Sequence, residues 1–183
     1  MRTFIAVEVP EGIRKVVHDV VPTETKKGLP IKWVAFQNLH ITLKFLGEID
    51  ENMKVEMGPV VAGVCRKYKP FQVRLQGLGC FPGPKNPRVL WVGVGEGSTQ
   101  LCDLAAELEN GLAPLGFKEE KRFHPHLTIG RIKKFCKVDD ILARNISTDT
   151  FGVDSVMLFR SILKPEGPVY EELERFAFDE RLA

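Results

Sequence analysis

The sequence predicts an α+β fold in two lobes related by an approximate twofold. Two observations carry this prediction. Each half runs from an alternating strand through an amphipathic helix. Each half also contains a segment of the form His-apolar-Thr-apolar, LHITLKFLG in the first and PHLTIGRIK in the second, and their histidines lie close to half a chain apart. With 183 residues, 44% of them hydrophobic and 27% charged, the chain fits one compact domain or two small lobes sharing a core.

Taken in order, RTFIAVEV (2–9) alternates, is rich in β-formers and ends at Pro10, which reads as a first strand. Ile13, Val16, Val17, Val20 and Val21 then recur at helical spacing up to Pro22. A strand is expected around 38–46. A helix comes next and runs through Tyr68, capped by Asp50, with Met53, Val60, Val61 and Val64 on one side and a kink at Gly58-Pro59. Strands are expected at 71–81 and 88–94, joined by the loop PGPKNP. The stripe Leu101, Leu104, Ala105, Leu108 and Leu112 predicts a helix over 98–113, with Ser98 as a candidate cap. A strand through His126–Ile132, a short helix near 138–145 and strands near 152–162 and 168–178 complete the chain, the last two joined at KPEGP as a hairpin.

Composition narrows the function without naming it. No apolar run approaches the roughly 18–20 residues of a membrane-spanning helix, and the N-terminus looks like a strand, not a signal peptide. No membrane partner is therefore expected, and a cytoplasmic location is. Cys65, Cys80, Cys102 and Cys136 form no CxxC or CxxH pair, so no structural zinc site is expected and they read as buried apolar residues. A net charge of +2 permits an anionic ligand but does not imply the strongly basic surface of a dedicated nucleic-acid binder. RNA recognition would have to be local.

The chemistry lies in the repeated segment. Residues i and i+2 of a strand share a face, so His40 goes with Thr42 and His126 with Thr128. Leu39, Ile41 and Leu43, like Leu127 and Ile129, point the other way and anchor each strand in a core. Two opposed imidazoles suit displacement at phosphorus, because histidine is a base or an acid near neutral pH. One would deprotonate the attacking water and the other would protonate the leaving sugar oxygen. The hydroxyls of Thr42 and Thr128 can donate to nonbridging oxygens, and Arg131 is near enough to add a guanidinium fork. This division of work requires neither a metal nor another cofactor. One His-x-Thr arises often by chance; two copies in matching contexts are far harder to explain structurally.

NLHITLKFLGEI followed by FHPHLTIGRIK resembles the paired HxTx signatures of the 2H phosphoesterase superfamily, and within it the RNA 2′,3′-cyclic phosphodiesterases, formerly called 2′-5′ RNA ligases. The likeness extends to the opening RTFIAVEVP and the closing VDSVMLFRSILKPEGPVYEEL. It implies a bilobal fold over residues 1–183, with two antiparallel sheets lining a central cleft and helices outside. By the same resemblance, His40 is the proton donor, His126 the proton acceptor, Thr42 and Thr128 their motif partners, and Arg131 the phosphate-binding residue. The implied substrate is RNA with a 2′,3′-cyclic phosphate end, tRNA fragments included, opened to a 2′-phosphomonoester. A monomer is expected. The alternatives are 2′-5′ ligation of tRNA halves, a small-molecule cyclic phosphodiesterase, and a noncatalytic RNA- or nucleotide-binding module.

Other residues have two readings each. His124 is in phase with His126 and either tunes it or is peripheral. Lys44 continues the His40–Thr42 face by simple alternation and either approaches a phosphate or is solvated. Phe45 and Tyr170 could stack on a terminal base, although core packing is favoured for Phe45. His18 is expected to face solvent, and Trp33 and Trp91 to pack in the core.

Overall fold

The computed structural model describes residues 1–120 and 122–182. In chain order the elements are β1 (Arg2–Glu8), α1 (Glu11–Asp19), α2 (Thr23–Lys26), β2 (Ile31–Trp33), β3 (His40–Glu48), α3 (Glu51–Cys65), β4 (Phe71–Val73), β5 (Leu75–Phe81), β6 (Val89–Val94), α4 (Ser98–Leu112), β7 (His126–Ile132), α5 (Asp139–Leu142), β8 (Phe151–Val153), β9 (Ser155–Lys164) and β10 (Gly167–Ala177). All strand pairings among them are antiparallel.

The large sheet runs β10-β9-β1-β3-β7-β6-β5, with β2 paired to β7 and a separate two-stranded sheet, β4-β8. One lobe is built on β10-β9-β1-β3, so the chain's first and last strands belong to the same lobe. The second is built on β2 and β7-β6-β5. The lobes meet through one backbone pair, Ile41 opposite Leu127, which makes the two cleft-lining sheets continuous. This is the α+β, two-lobed architecture that the sequence predicts.

Local chemistry explains the element ends. Asp50 accepts a hydrogen bond from the Met53 N–H at 2.8 Å and so caps α3. That helix continues through Gly58-Pro59 and buries Met57, Val61, Val64 and Cys65. Gly97, not Ser98, occupies the N-cap of α4. Its φ of 84° belongs to the left-handed region, and a Cβ there would press on the Gln72 carbonyl. The segment 71–81 is two strands in two different sheets, separated at Arg74. Three-residue β2 is an addition to the predicted elements. The core is apolar and shared by both lobes, with Ile5, Ile41, Leu90, Leu104, Leu108 and Leu127 fully buried. Helices α3 and α4 pack against each other, α3 also against β10 and α4 against β3. Among the described residues, no helix is long and apolar enough to cross a membrane.

Candidate active site

Strands β3 and β7 carry the two motifs next to the seam between the lobes. Their burial patterns agree position for position: His and Thr half-buried, the intervening and following apolar residues buried, and the fifth residue after the histidine exposed. Just beyond the threonine the pattern departs from simple alternation in both strands. On β3, Lys44 faces Ile5 and Thr42 faces Ala6, which leaves Leu43 as an extra residue. On β7, Gly130 faces Leu90 and Thr128 faces Trp91, which leaves Ile129 extra. Each is a β-bulge three residues after the histidine, and each reverses the facing of the residues beyond it.

The bulges decide which side chains reach the cleft. Lys44, expected on the His40–Thr42 face, is instead turned into the core at 1% exposure. Its Nζ donates to both carboxylate oxygens of Glu109 on α4, at 2.8 and 2.7 Å, and to the Lys118 carbonyl at 3.0 Å. Phe45, expected to pack in the core, is 54% exposed and lines the cleft. Arg131 is out of phase with His126 by simple alternation, and its bulge brings it into the cleft.

The cleft has a volume of about 510 Å³, and its lining includes His40, Thr42, His126, Thr128 and Arg131, all five sequence-predicted site residues. No Asp or Glu is among the lining residues. Both imidazoles are held in the same way. His40 Nδ1 lies 2.6 Å from the Asn38 carbonyl, and His126 Nδ1 lies 2.6 Å from the His124 carbonyl. A carbonyl only accepts, so Nδ1 carries the proton in each ring and Nε2 is left to exchange one. Thr42 Oγ1 is 2.8 Å from His40 Nε2 and donates to it while that ring is neutral.

Aromatic walls fix the rings. His40 stacks on Phe4 (4.9 Å between centroids, 26° between planes) and meets Tyr170 edge-on (5.2 Å, 84°). Asn38 ties this wall to the β9–β10 hairpin by donating from Nδ2 to the Pro168 carbonyl at 2.7 Å. His126 meets Phe81 edge-on (5.1 Å, 89°) and tilts against Trp91 (6.2 Å, 58°). Trp91 fits there because Gly79 lies opposite it; a Cβ on residue 79 would clash with the indole ring. Burial drives the acidity of both imidazoles. It pushes His40 down to about 4, against the opposing effect of its bond to Asn38 and with help from the charge of nearby His126. His126 is lowered by burial too, again opposed by its backbone bond and assisted by His124 and Arg131. Among the described residues, no group of three or more His, Cys, Asp or Glu side chains is placed to hold a metal ion.

The family model of the 2′-5′ RNA ligase superfamily matches residues 13–158. The chain belongs to that superfamily. Its relatives within the superfamily include a protein of Archaeoglobus fulgidus named RNA 2′,3′-cyclic phosphodiesterase, 41% identical over 180 residues that cover 96% of this chain and 99% of that one. One of the same name from Thermotoga maritima is 36% identical over 181 residues, 98% of this chain and 96% of that one. Among solved structures, the E. coli LigT protein complexed with 3′-AMP superposes with a TM-score of 0.78 at 25% identity, covering 97% of each chain. A Thermus thermophilus protein does so at 0.76 and 32% identity, covering 97% of this chain and 98% of that one.

Several cleft residues lie outside the motif-based expectation. Arg2 and Phe4 line the cleft from β1, and Phe81, Val89 and Ser161 complete parts of its wall. Asn38 has a readable signal, since it stands two residues before His40 as His124 stands two before His126. His124 is exposed, but its ring meets Trp91 and Phe81 edge-on at 5.3 and 5.8 Å, inside the wall that holds His126. Tyr170 lines the cleft, while His18 is exposed, beside Asp19 and edge-on to Phe36. Trp33 is partly buried against the core. All four cysteines are free; Cys65 and Cys80 are buried, Cys102 and Cys136 only half so.

Proposed function

We propose that this protein is an RNA 2′,3′-cyclic phosphodiesterase that hydrolyses the terminal cyclic phosphate of an RNA strand to a 2′-phosphomonoester. The observation that supports it most is the matched presentation of the two imidazoles, each with Nδ1–H spent on its own backbone and Nε2 turned away from it, in a carboxylate-free cleft. His126 Nε2 takes a proton from the attacking water as its oxygen bonds to phosphorus. The bond from phosphorus to the 3′ oxygen breaks, and His40 Nε2–H protonates that oxygen. Thr42 and Thr128 donate to the nonbridging oxygens, and Arg131 neutralises the charge that builds there. Protonation of His40 ends its acceptance from Thr42: the threonine hydroxyl is released toward phosphate, and Nε2–H is free to turn to the 3′ oxygen. Phe45 and Tyr170 offer aromatic faces for the terminal base.

His40 is neutral in the free site, yet as donor it must be charged. The bound phosphate supplies the negative charge that raises its pKa. The rate should therefore be bell-shaped in pH, with the limb of kcat that reports the donor at higher pH than the corresponding limb of kcat/KM. A profile flat between about pH 5 and 9 would count against paired histidines. The direct test is hydrolysis of an RNA bearing a 2′,3′-cyclic phosphate in EDTA. His40→Ala and His126→Ala should each lower kcat by about 10²–10⁴-fold, and full activity in either variant sinks the mechanism. The same assay with matched tRNA halves reads ligation by the appearance of a joined product. We further propose that residues 1–183 act as a single bilobal domain, a cytoplasmic monomer with RNA ends, tRNA fragments included, as substrates.

A further inference from the structure

We propose that Arg2 forms a second anion subsite, which holds the phosphodiester joining the terminal nucleotide to the rest of the RNA chain. This rests on the cyclic phosphodiesterase reading above and extends it from the reacting phosphate to the strand behind it.

Three observations support the assignment. The cleft contains two guanidiniums, Arg2 on one lobe and Arg131 on the other, and no carboxylate. Among the described residues neither has an ion-pair partner, a state they share with several arginines outside the cleft. The cyclic phosphate of the bound substrate carries one negative charge, which Arg131 matches before reaction. The linking phosphodiester supplies a second, for Arg2.

Placement separates their roles. Arg131 lies on the strand that bears His126 and Thr128, five residues beyond the histidine, where the reacting phosphate must sit. Arg2 follows the alternation of β1 that also turns Phe4 beneath His40, and its backbone lies two residues past the Phe4–Phe45 pair. That is about 7 Å farther along the strand, away from the seam. Tyr170 lines the same cleft, its phenol pushed up by burial against the opposing charges of Arg131 and Arg2. Phe45 and Leu163, 54% and 70% exposed, give this lobe's rim apolar surface for a sugar and base. A strand whose end is held between the histidines would leave over that rim and bring its next phosphate to Arg2. Removal of Lys44 to the core leaves Arg2 as the rim's only cation among the cleft-lining residues.

The test compares two substrates, adenosine 2′,3′-cyclic phosphate and adenylyl-adenosine 2′,3′-cyclic phosphate, in the full chain. The readout is the ratio of kcat/KM for the dinucleotide to that for the mononucleotide. Arg2→Ala should lower this ratio by about 10–100-fold, mostly through KM. Arg2→Lys should recover part of it, and Arg131→Ala should depress both substrates together. A neutral methylphosphonate linkage in the dinucleotide should cost the wild type as much as Arg2→Ala does, and cost the Arg2→Ala variant nothing more. The dependence of log affinity on log salt should become shallower by about 0.7 when Arg2 is removed. An unchanged ratio overturns the proposal, as does an additive loss from variant and methylphosphonate. Turnover of neither substrate by the wild type would instead defeat the cyclic phosphodiesterase reading. Calorimetric binding of the mono- and dinucleotide 2′-phosphates then still tests Arg2 by the same ratio.

Discussion

The two lobes present the same strand to the cleft and fill it differently. Strands β3 and β7 share a histidine, a threonine, a bulge after the threonine and a common burial pattern. They diverge at the two positions beyond the bulge. On β3 these are buried Lys44 and exposed Phe45; on β7 they are Gly130 and Arg131. Backbone duplication thus presents two imidazoles in like fashion, and under the proposed function the divergent side chains would give one lobe a face for the base and the other the guanidinium for the reacting phosphate. The histidines differ as well: His40 lies deeper, is stacked on Phe4 and is bonded to Thr42, while the corresponding bond between His126 and Thr128 is absent among the described residues.

The comparison can be broken at its divergent positions. Arg131→Ala should reduce kcat by about 10²–10³-fold, as expected for loss of a charged donor to the transition state. Phe45→Ala should act mainly on KM, by roughly tenfold, as expected for a lost stacking face. Steady-state kinetics on one cyclic-phosphate RNA reads both, and equal losses in kcat would erase the proposed division between lobes.

Lys44 tests a structural asymmetry. Lys44→Ala leaves the Glu109 carboxylate with only the Glu120 N–H and no cation, and the Lys118 carbonyl without its donor, and should destabilise the fold by about 3 kcal/mol. Lys44→Met combined with Glu109→Gln should cost less than Lys44→Ala alone, because no unpaired charge remains. Urea denaturation decides; a negligible effect of Lys44→Ala would mean that the pair does not anchor β3 to α4.

A last prediction concerns pH. The folded-state pKa of His40 is depressed to about 4 from an unfolded value near 6.5, so the unfolded chain binds more protons between those values. Stability contributed by the neutral ring is complete above about pH 6.5 and is lost as pH falls toward 4, by up to about 3 kcal/mol. His40→Gln should flatten the pH dependence of stability in that window. His126→Gln should flatten it less, since that ring lies less deep. A steeper dependence in either variant would contradict the burial of a neutral imidazole.

Much of this is legible in the sequence because it depends on period. Alternation in RTFIAVEV, the leucine stripe of 98–113 and the paired motifs specify β1, α4, β3 and β7, and the i, i+2 rule places His40 with Thr42 and His126 with Thr128. What alternation cannot reveal is where it stops. Leu43 is an ordinary strand residue, and nothing near it announces a bulge, so Lys44 and Phe45 exchange their expected faces. In β7 there is a hint, because a lone glycine such as Gly130 inside a strand often marks a bulge. Arg2 is hidden for another reason. It lies far from both motifs in sequence and reaches the cleft because β1 pairs with β3. The break at Arg74 and the addition of β2 are likewise products of tertiary pairing, set by what each short segment meets and not by its own pattern.

The single pairing of Ile41 with Leu127 has a mechanical consequence. Each residue directly follows a motif histidine, so the rung that joins the lobes is also the rung beside the reacting groups. If one lobe rocks against the other about that rung, displacement grows with distance from the pivot. The two imidazoles, next to the axis, hardly change their spacing, while the outer rim bearing Phe45, Leu163 and Arg2 sweeps the widest arc. In such a motion the rim would take up most of the change, and the spacing of the two imidazoles the least.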